Sequence, residues 1–303
     1  MHILSILLNP GIMALVALLL SIVWMLRDEK DKTRIGLVLA LTLNLFYCMA
    51  LGYFMGREDT AFPWKYDHVL AGLDGSLGLR TAWIARPLQG RMLLPLQIVY
   101  DLILPAMIAG YLLTRYRRCR GSIVLAYVAE LISGPLLYAI VPACGPVYAF
   151  GKQWLHPPAV RPEVMSFTGN PNAFPSLHVG TALVLLTFAP GKFWRPVAML
   201  FFVATCVATL ATGEHYVVDL AAGLAFGTFV SAVGMRNYKR AGFFLGLTLV
   251  WSLAVRFAYP LLLAHPILLR SLAGLTLVLT AFALGQQWKN AYAAEPVQDA
   301  TVC

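Results

Sequence analysis

Long apolar runs separated by short polar clusters dominate the chain. Each run of about 20 apolar residues is long enough to cross a hydrocarbon core of roughly 30 Å. The pattern predicts nine spans: Ile3–Leu26, Ile35–Gly56, Met92–Leu113, Ser122–Val141, Phe174–Ala189, Val197–Ala211, Tyr216–Met235, Phe243–Leu263 and Pro266–Gly285. Short alternating strands of the kind a transmembrane barrel needs are not seen. In lipid a helix satisfies its own backbone polar groups. The expected fold is therefore all-α, a polytopic transmembrane helical bundle forming one domain over residues 1–289, with a short polar tail over 290–303. The last two spans are nearly contiguous and should form a tight hairpin. Two connections are long. Arg57–Arg91 contains an apolar, Gly-rich stretch, Leu70–Ile84, suited to lie in the membrane interface. Pro142–Ala173 is rich in Pro and Gly, and its Trp and Tyr content points to an ordered, irregular loop.

Composition agrees with the pattern. Hydrophobic residues make up 59% of the 303 positions and charged residues only 12%, against about half and a quarter in soluble domains. A net charge of +9 would suggest nucleic acid in a soluble protein. Here the basic residues follow the membrane topology instead, and no nucleic-acid partner is expected. Fourteen fall in short segments on one side: Arg27–Arg34, Arg115–Arg120, Lys192 and Arg195, Arg236–Arg240, and Lys289. Seven are spread over the longer opposite loops. The dense side is expected to be cytoplasmic, which puts the N-terminus and both long loops outside and the C-terminus inside. The first run has no cationic leader or cleavage site and reads as a retained span. The five cysteines show neither paired nor metal-type spacing. No internal repeat of the kind many transporters carry is visible.

Three polar residues stand where spans meet the outer side. His178 opens the fifth span within Phe174-Pro175-Ser176-Leu177-His178, and His215 and Asp219 open the seventh. The topology puts all three at one membrane level. His215 and Asp219, four apart, are expected on one helix face. A carboxylate there can accept a hydrogen bond from one imidazole nitrogen, fixing the tautomer and leaving the other nitrogen as nucleophile or base. Such a nitrogen can attack phosphorus while His178 protonates the leaving oxygen. Ser176 and the amides opening the fifth helix offer donors to phosphate oxygens. Zinc ligation by His178, His215 and Asp219 is the competing chemistry, and spacing alone leaves the two nearly even. His68, His156 and His265 read as interfacial residues. Asp101 and Glu130 fall within apolar spans, where ionisable groups are costly; the structural reading is favoured over a proton relay.

The two strings Phe174-Pro175-Ser176-Leu177-His178 and His215-Tyr216-Val217-Val218-Asp219-Leu220-Ala221-Ala222-Gly223 resemble the type 2 phosphatidic acid phosphatase superfamily. The wording is closest to its inositol phosphorylceramide synthase-like branch of lipid phosphotransferases. Cys144-Gly145-Pro146-Val147-Tyr148-Ala149-Phe150 resembles bacterial members, which implies a bacterial inner membrane. The resemblance covers roughly Ser122 to Met235. It implies a six-helix catalytic core with His215 as nucleophile, Asp219 orienting it and His178 as general acid, without metal or cofactor. It also implies a lipid substrate and transfer to a polar alcohol or to water.

Two departures matter. The phosphatases of that superfamily carry an Arg six residues before the second His, where this chain has Thr209. Their Lys-x6-Arg-Pro signature is not intact, because Lys152 sits nine residues before Arg161. A phosphoryl group developing charge needs cations or amides. Lys152 and Arg161 are the leading candidates, with Arg256 and Arg270 as further ones; Arg86 and Arg91 also lie in the outer half. For these last four, headgroup contact or snorkelling is the favoured reading. The rivals to a lipid phosphotransferase are a plain lipid phosphate or polyprenyl pyrophosphate phosphatase, a transporter or flippase, and an inactive scaffold.

Overall fold

The structure is a computed structural model that describes residues 61–116, 121–159 and 161–291, with scattered positions before 61. The spans expected over Ile3–Leu26 and Ile35–Gly56 and the Arg27–Arg34 cluster lie essentially outside the described residues, as does the tail beyond residue 291. The helices are α1 (Asp67–Leu77), α2 (Thr81–Ala85), α3 (Leu93–Asp101), α4 (Ile103–Tyr116), α5 (Ile123–Ile140), α6 (Pro146–Phe150), α7 (Leu177–Phe188), α8 (Gly191–Ala211), α9 (Val217–Gly234), α10 (Tyr238–Ala264) and α11 (Pro266–Ala291). Two short strands, β1 (Trp64–Lys65) and β2 (Met165–Ser166), pair antiparallel and tie the two long connections together.

Among the described residues five helices, α5 and α8 to α11, are long and apolar enough to cross a membrane. The chain is a helical, multi-pass membrane protein. The third expected span is not one straight helix: α3 and α4 are bent by 47° at Leu102. Pro105 supplies the cause. It has no N–H to donate, and its ring crowds the carbonyl four residues back, at Asp101, where α3 ends. The fifth expected span is the short α7, only 12 residues long.

Helix α9 is the centre of the bundle. Its spanning window is 78% buried, against 39% or less in the other four. It packs on α5, α7, α10 and α11. The contact with α7 is a backbone approach. A Cβ at Gly227 would meet Gly180 Cα at 2.8 Å, and one at Gly223 would meet the Ser176 carbonyl at 2.7 Å. Small residues at a membrane helix interface permit this closeness. Below it, Ala182, Leu185 and Phe188 of α7 join Phe226, Phe229 and Val230 of α9 and Ile123 and Ala126 of α5 in one apolar core.

The stretch Leu70–Ile84, expected in the interface, begins inside the protein, while its later residues Leu79 and Trp83 are exposed. Val69, Leu70 and Leu73 of α1 are completely buried, and α1 packs on α9, α10 and α11. The reason is that α1 turns two carboxylates, Asp67 and Asp74, inward along with its apolar side chains. Replacing Gly227 with Leu should push α7 off α9 and cost about 1–3 kcal/mol of stability. Thermal unfolding of the detergent-solubilised variant would show this as a lower midpoint.

Candidate active site

Two chain segments meet at the end of the α7–α9 contact. His215 lies in the turn from α8 to α9. Gly213 there has φ +77°, and the Thr209 carbonyl accepts from both Glu214 N and His215 N at 3.2 Å. Thr209 thus serves the site with its backbone, while its hydroxyl bonds back to Cys206 within α8. Ser176 N donates to the Asp219 carbonyl at 3.2 Å, locking the start of α7 to the first turn of α9.

The expected geometry of His215 and Asp219 needs correction. His215 is not on the helix: Tyr216 is the N-cap of α9, and Asp219 is in its first turn. Asp219 Oδ2 accepts from Tyr216 N at 2.8 Å, the usual task of an acidic residue at this position. It lies 3.5 Å from His215 Nδ1, beyond a good hydrogen bond. The Ala173 carbonyl is closer, 2.9 Å from Nδ1. A carbonyl only accepts, so Nδ1 carries the proton and Nε2 holds the lone pair. The tautomer expected from the carboxylate is therefore fixed by a backbone carbonyl, with the Asp219 carboxyl nearby. Burial, reinforced by neighbouring His178 and opposed by the Ala173 bond, lowers the His215 pKa to about 3.

His178, the second residue of α7, faces this ring. The two ring centroids are 5.9 Å apart at 63°. The Tyr100 ring stacks on His178 at 3.9 Å and 19°. Tyr148 donates to Glu214 Oε1 at 3.1 Å beside them. Burial, opposed by that bond, raises the Glu214 carboxyl to about 7. Ser176 is buried and its Oγ accepts from Val179 N at 3.4 Å, capping α7.

Lys152, Arg161, Arg256 and Arg270 are the four expected phosphate cations. Lys152 and Arg161 are exposed in the connection between α6 and α7. Arg256 donates to the Ile140 carbonyl at the end of α5, and Arg270 donates to the Ser76 carbonyl in the last turn of α1 at 3.1 Å. Both of these sit where a helix dipole is negative, and each fastens one helix to another. Among the described residues, none of the four bonds to His178, His215, Asp219 or Ser176. Likewise, no group of three His, Cys, Asp or Glu among the described residues is arranged to hold a metal. Glu130 is fully buried and accepts from Thr181, one turn after His178.

The sequence reading missed the two carboxylates of α1. Asp67 accepts from Cys144 N at 3.1 Å, Gly145 N at 2.8 Å and the Tyr216 hydroxyl at 3.1 Å. Asp74 accepts from Val217 N at 3.0 Å, Val218 N at 2.9 Å and the Thr81 hydroxyl at 2.7 Å. Burial pushes both carboxyls up to about 6, against the pull of these donors. Seven residues apart on α1, they bracket the turn that carries His215. Gly145 completes the bracket. It has φ +102°, and a Cβ there would stand 2.3 Å from the Glu214 carbonyl. Only glycine fits. Two aspartates among Val69, Leu70 and Leu73 were the available signal, since an acidic residue within an apolar helix needs donors.

Among known families, the model described as the PAP2 superfamily matches residues 68–233, more than half of the chain. No curated protein and no solved structure matches it. The matched stretch begins within α1 and ends in α9, so it takes in Asp74 as well as both histidines. Asp74→Ala removes the acceptor of two buried amides and a hydroxyl; losing such a partner costs about 1–3 kcal/mol. The variant should unfold at lower temperature in detergent and lose activity together with that shift.

Proposed function

Because the chain belongs to the PAP2 superfamily, it is a membrane phosphatase or phosphotransferase, and we propose that it transfers a lipid-borne phosphoryl group through His215. One observation carries this reading: the His215 Nδ1 proton is held by the Ala173 carbonyl, which leaves Nε2 with its lone pair as the nucleophile, in a ring 5.9 Å from that of His178. Nε2 attacks phosphorus and an N–P bond forms. The P–O bond to the leaving group breaks, and His178 gives that oxygen a proton. Water or an alcohol then attacks the phosphohistidine. His178 takes its proton, the N–P bond breaks, and His215 is restored. Asp219 steadies the positive charge that His215 gains on attack.

Phosphate oxygens are met by the start of α7. The Leu177 and His178 amides belong to the first turn, where intrahelical partners are lacking, and the helix dipole favours an anion there. Ser176 Oγ, which accepts from Val179 N, still has its own proton to donate. This donor set suits a phosphodiester, and so transfer of a headgroup phosphate between lipid alcohols. The substrate keeps its tail in the bilayer. A lipid alcohol is the acceptor, in the manner of inositol phosphorylceramide synthases. Lys192 and Arg195 near the α7–α8 turn, and Arg236, Lys239 and Arg240 around the α9–α10 turn, stand at the ends opposite the histidines. That distribution supports an extracytoplasmic site.

The test is incubation of the purified protein with a phosphate-labelled phospholipid, with and without a lipid alcohol. Label should pass to the alcohol, and His215→Ala should abolish both transfer and trapped phosphoenzyme. Release of free phosphate alone would leave a lipid phosphatase, and full activity in His215→Ala and His178→Ala would favour a transporter. The pH profile gives a second check. A lowered His215 pKa keeps the nucleophile neutral as pH falls, so its nucleophilicity is lost only on acidification toward the folded value of about 3, while the stability owed to the neutral ring declines from the unfolded value of about 6.5 down to there. The His215 limb of kcat/KM, which reports the free enzyme, should therefore lie below the ordinary histidine value of about 6.5. An acid limb of His215 near that value would contradict the assignment.

A further inference from the structure

The two histidines are held in different ways. His215 has a hydrogen bond to the Ala173 carbonyl that fixes its plane and tautomer. His178 has ring contacts instead: among the described residues, its side chain meets Tyr100 and His215 and makes no hydrogen bond. A proton-transferring side chain ordinarily needs a third group to orient it. Here the near-parallel stack at 3.9 Å is the contact that sets the imidazole plane.

Tyr100 is itself firmly placed. It is the penultimate residue of α3, directly before the bend at Leu102. Leu96 of α3 packs on Ala208 and Ala211 of α8, with Val99, Tyr100 and Val207 around them. The last turn of α8 therefore has two tasks. It carries the Thr209 carbonyl that holds His215, and it backs the helix that presents Tyr100 to His178. The Gln89 amide, which donates to the Ala211 carbonyl at 3.0 Å, ties the segment before α3 to the same turn.

We propose that Tyr100 is a positioning residue for proton transfer: its ring face holds the His178 imidazole in the plane from which it protonates the leaving oxygen. This rests on the phosphoryl-transfer reading of the site. The bend at Leu102 lets α3 lean on α8 and offer an aromatic face to α7. An aromatic face also attracts a cationic ring, which steadies His178 while it holds the proton to be given. The contact uses the ring face, so phenylalanine retains it. The hydroxyl contributes nothing to this task.

A leaving-group comparison separates positioning from general support of the fold. Expulsion of an alkoxide needs a proton in the transition state; expulsion of a nitrophenolate does not. Two lipid-tailed phosphodiesters, identical but for an alkyl or a p-nitrophenyl leaving group, would be assayed with the full-length protein in detergent. Tyr100→Leu should lower kcat on the alkyl ester about 10–100-fold with KM nearly unchanged, and lower kcat on the nitrophenyl ester less than about threefold, the scale of general-acid and orientation effects. Tyr100→Phe should stay within about threefold of the parent protein on both esters. Equal losses of Tyr100→Leu on the two esters, no loss on either, or a Tyr100→Phe defect as large as that of Tyr100→Leu would overturn the proposal. His215→Ala is run alongside. If it is inactive while one of those results is found, the Tyr100 role fails alone; if it keeps full activity, the phosphoryl-transfer reading fails and the Tyr100 role with it.

Discussion

The close approach of α7 to α9 is the constraint on which the site depends. Gly180 and Gly227 let the two backbones touch, and Ser176 N reaches the Asp219 carbonyl at the upper end of the same contact. The histidines belong to different segments, 37 positions apart, and neither helix alone could bring them together. Packing in lipid gains little from hydrophobic transfer between helices, so shape fit and hydrogen bonds decide it. With bulky residues at these glycines the apolar core below would have to open, and the ring separation above would open with it.

The amides at that end are divided between structure and chemistry. Tyr216 N goes to Asp219, and Val217 N and Val218 N go to Asp74. Asp219 N returns to the Tyr216 carbonyl. The N-terminus of α9 is therefore satisfied internally and has no amide left for an anion. Helix α7 differs, because its cap from Ser176 engages only Val179 N and its first two amides remain for a ligand. The helix that carries the nucleophile is held rigidly, and the neighbouring helix offers the anion-binding end.

Much of this was legible in the sequence, for identifiable reasons. Apolar length placed seven of the expected spans on described helices or helix pairs, because length and hydropathy are what lipid selects. His178, His215 and Asp219 stood out because polar residues opening apolar spans at one level have few bland explanations. The Pro105 bend was also open to a sequence argument, since Pro conflicts with the carbonyl four residues earlier. Three things were not legible. The Nδ1 partner of His215 is the backbone of Ala173, and carbonyl positions leave no trace in residue identity. Asp67 and Asp74 lay in the long connection Arg57–Arg91, Asp74 within the stretch read as interfacial, where acidic residues are unremarkable; only burial makes them informative. Arg256 and Arg270 had the right charge and depth for a phosphate, but charge does not reveal that a helix C-terminus nearby takes the guanidinium first.

That last point bears on the substrate. Arg256 and Arg270 serve helix ends, and Thr209 stands where the phosphatases' Arg would be, so among the described residues the cluster around His178 and His215 holds a carboxylate, Glu214, and tyrosines, with no cation bonded to it. A phosphate monoester approaches as a dianion and needs strong positive compensation as it reacts. A phosphodiester carries one charge, which helix amides, a dipole and one hydroxyl can meet. In the proposed mechanism the second step is governed by which hydroxyl reaches the phosphohistidine. An acceptor held by the bilayer beside the site has the advantage of local concentration over a polar one arriving from water. These considerations support the proposed reading, in which a headgroup phosphate moves between lipid alcohols and hydrolysis is the outcome when the acceptor place is filled by water.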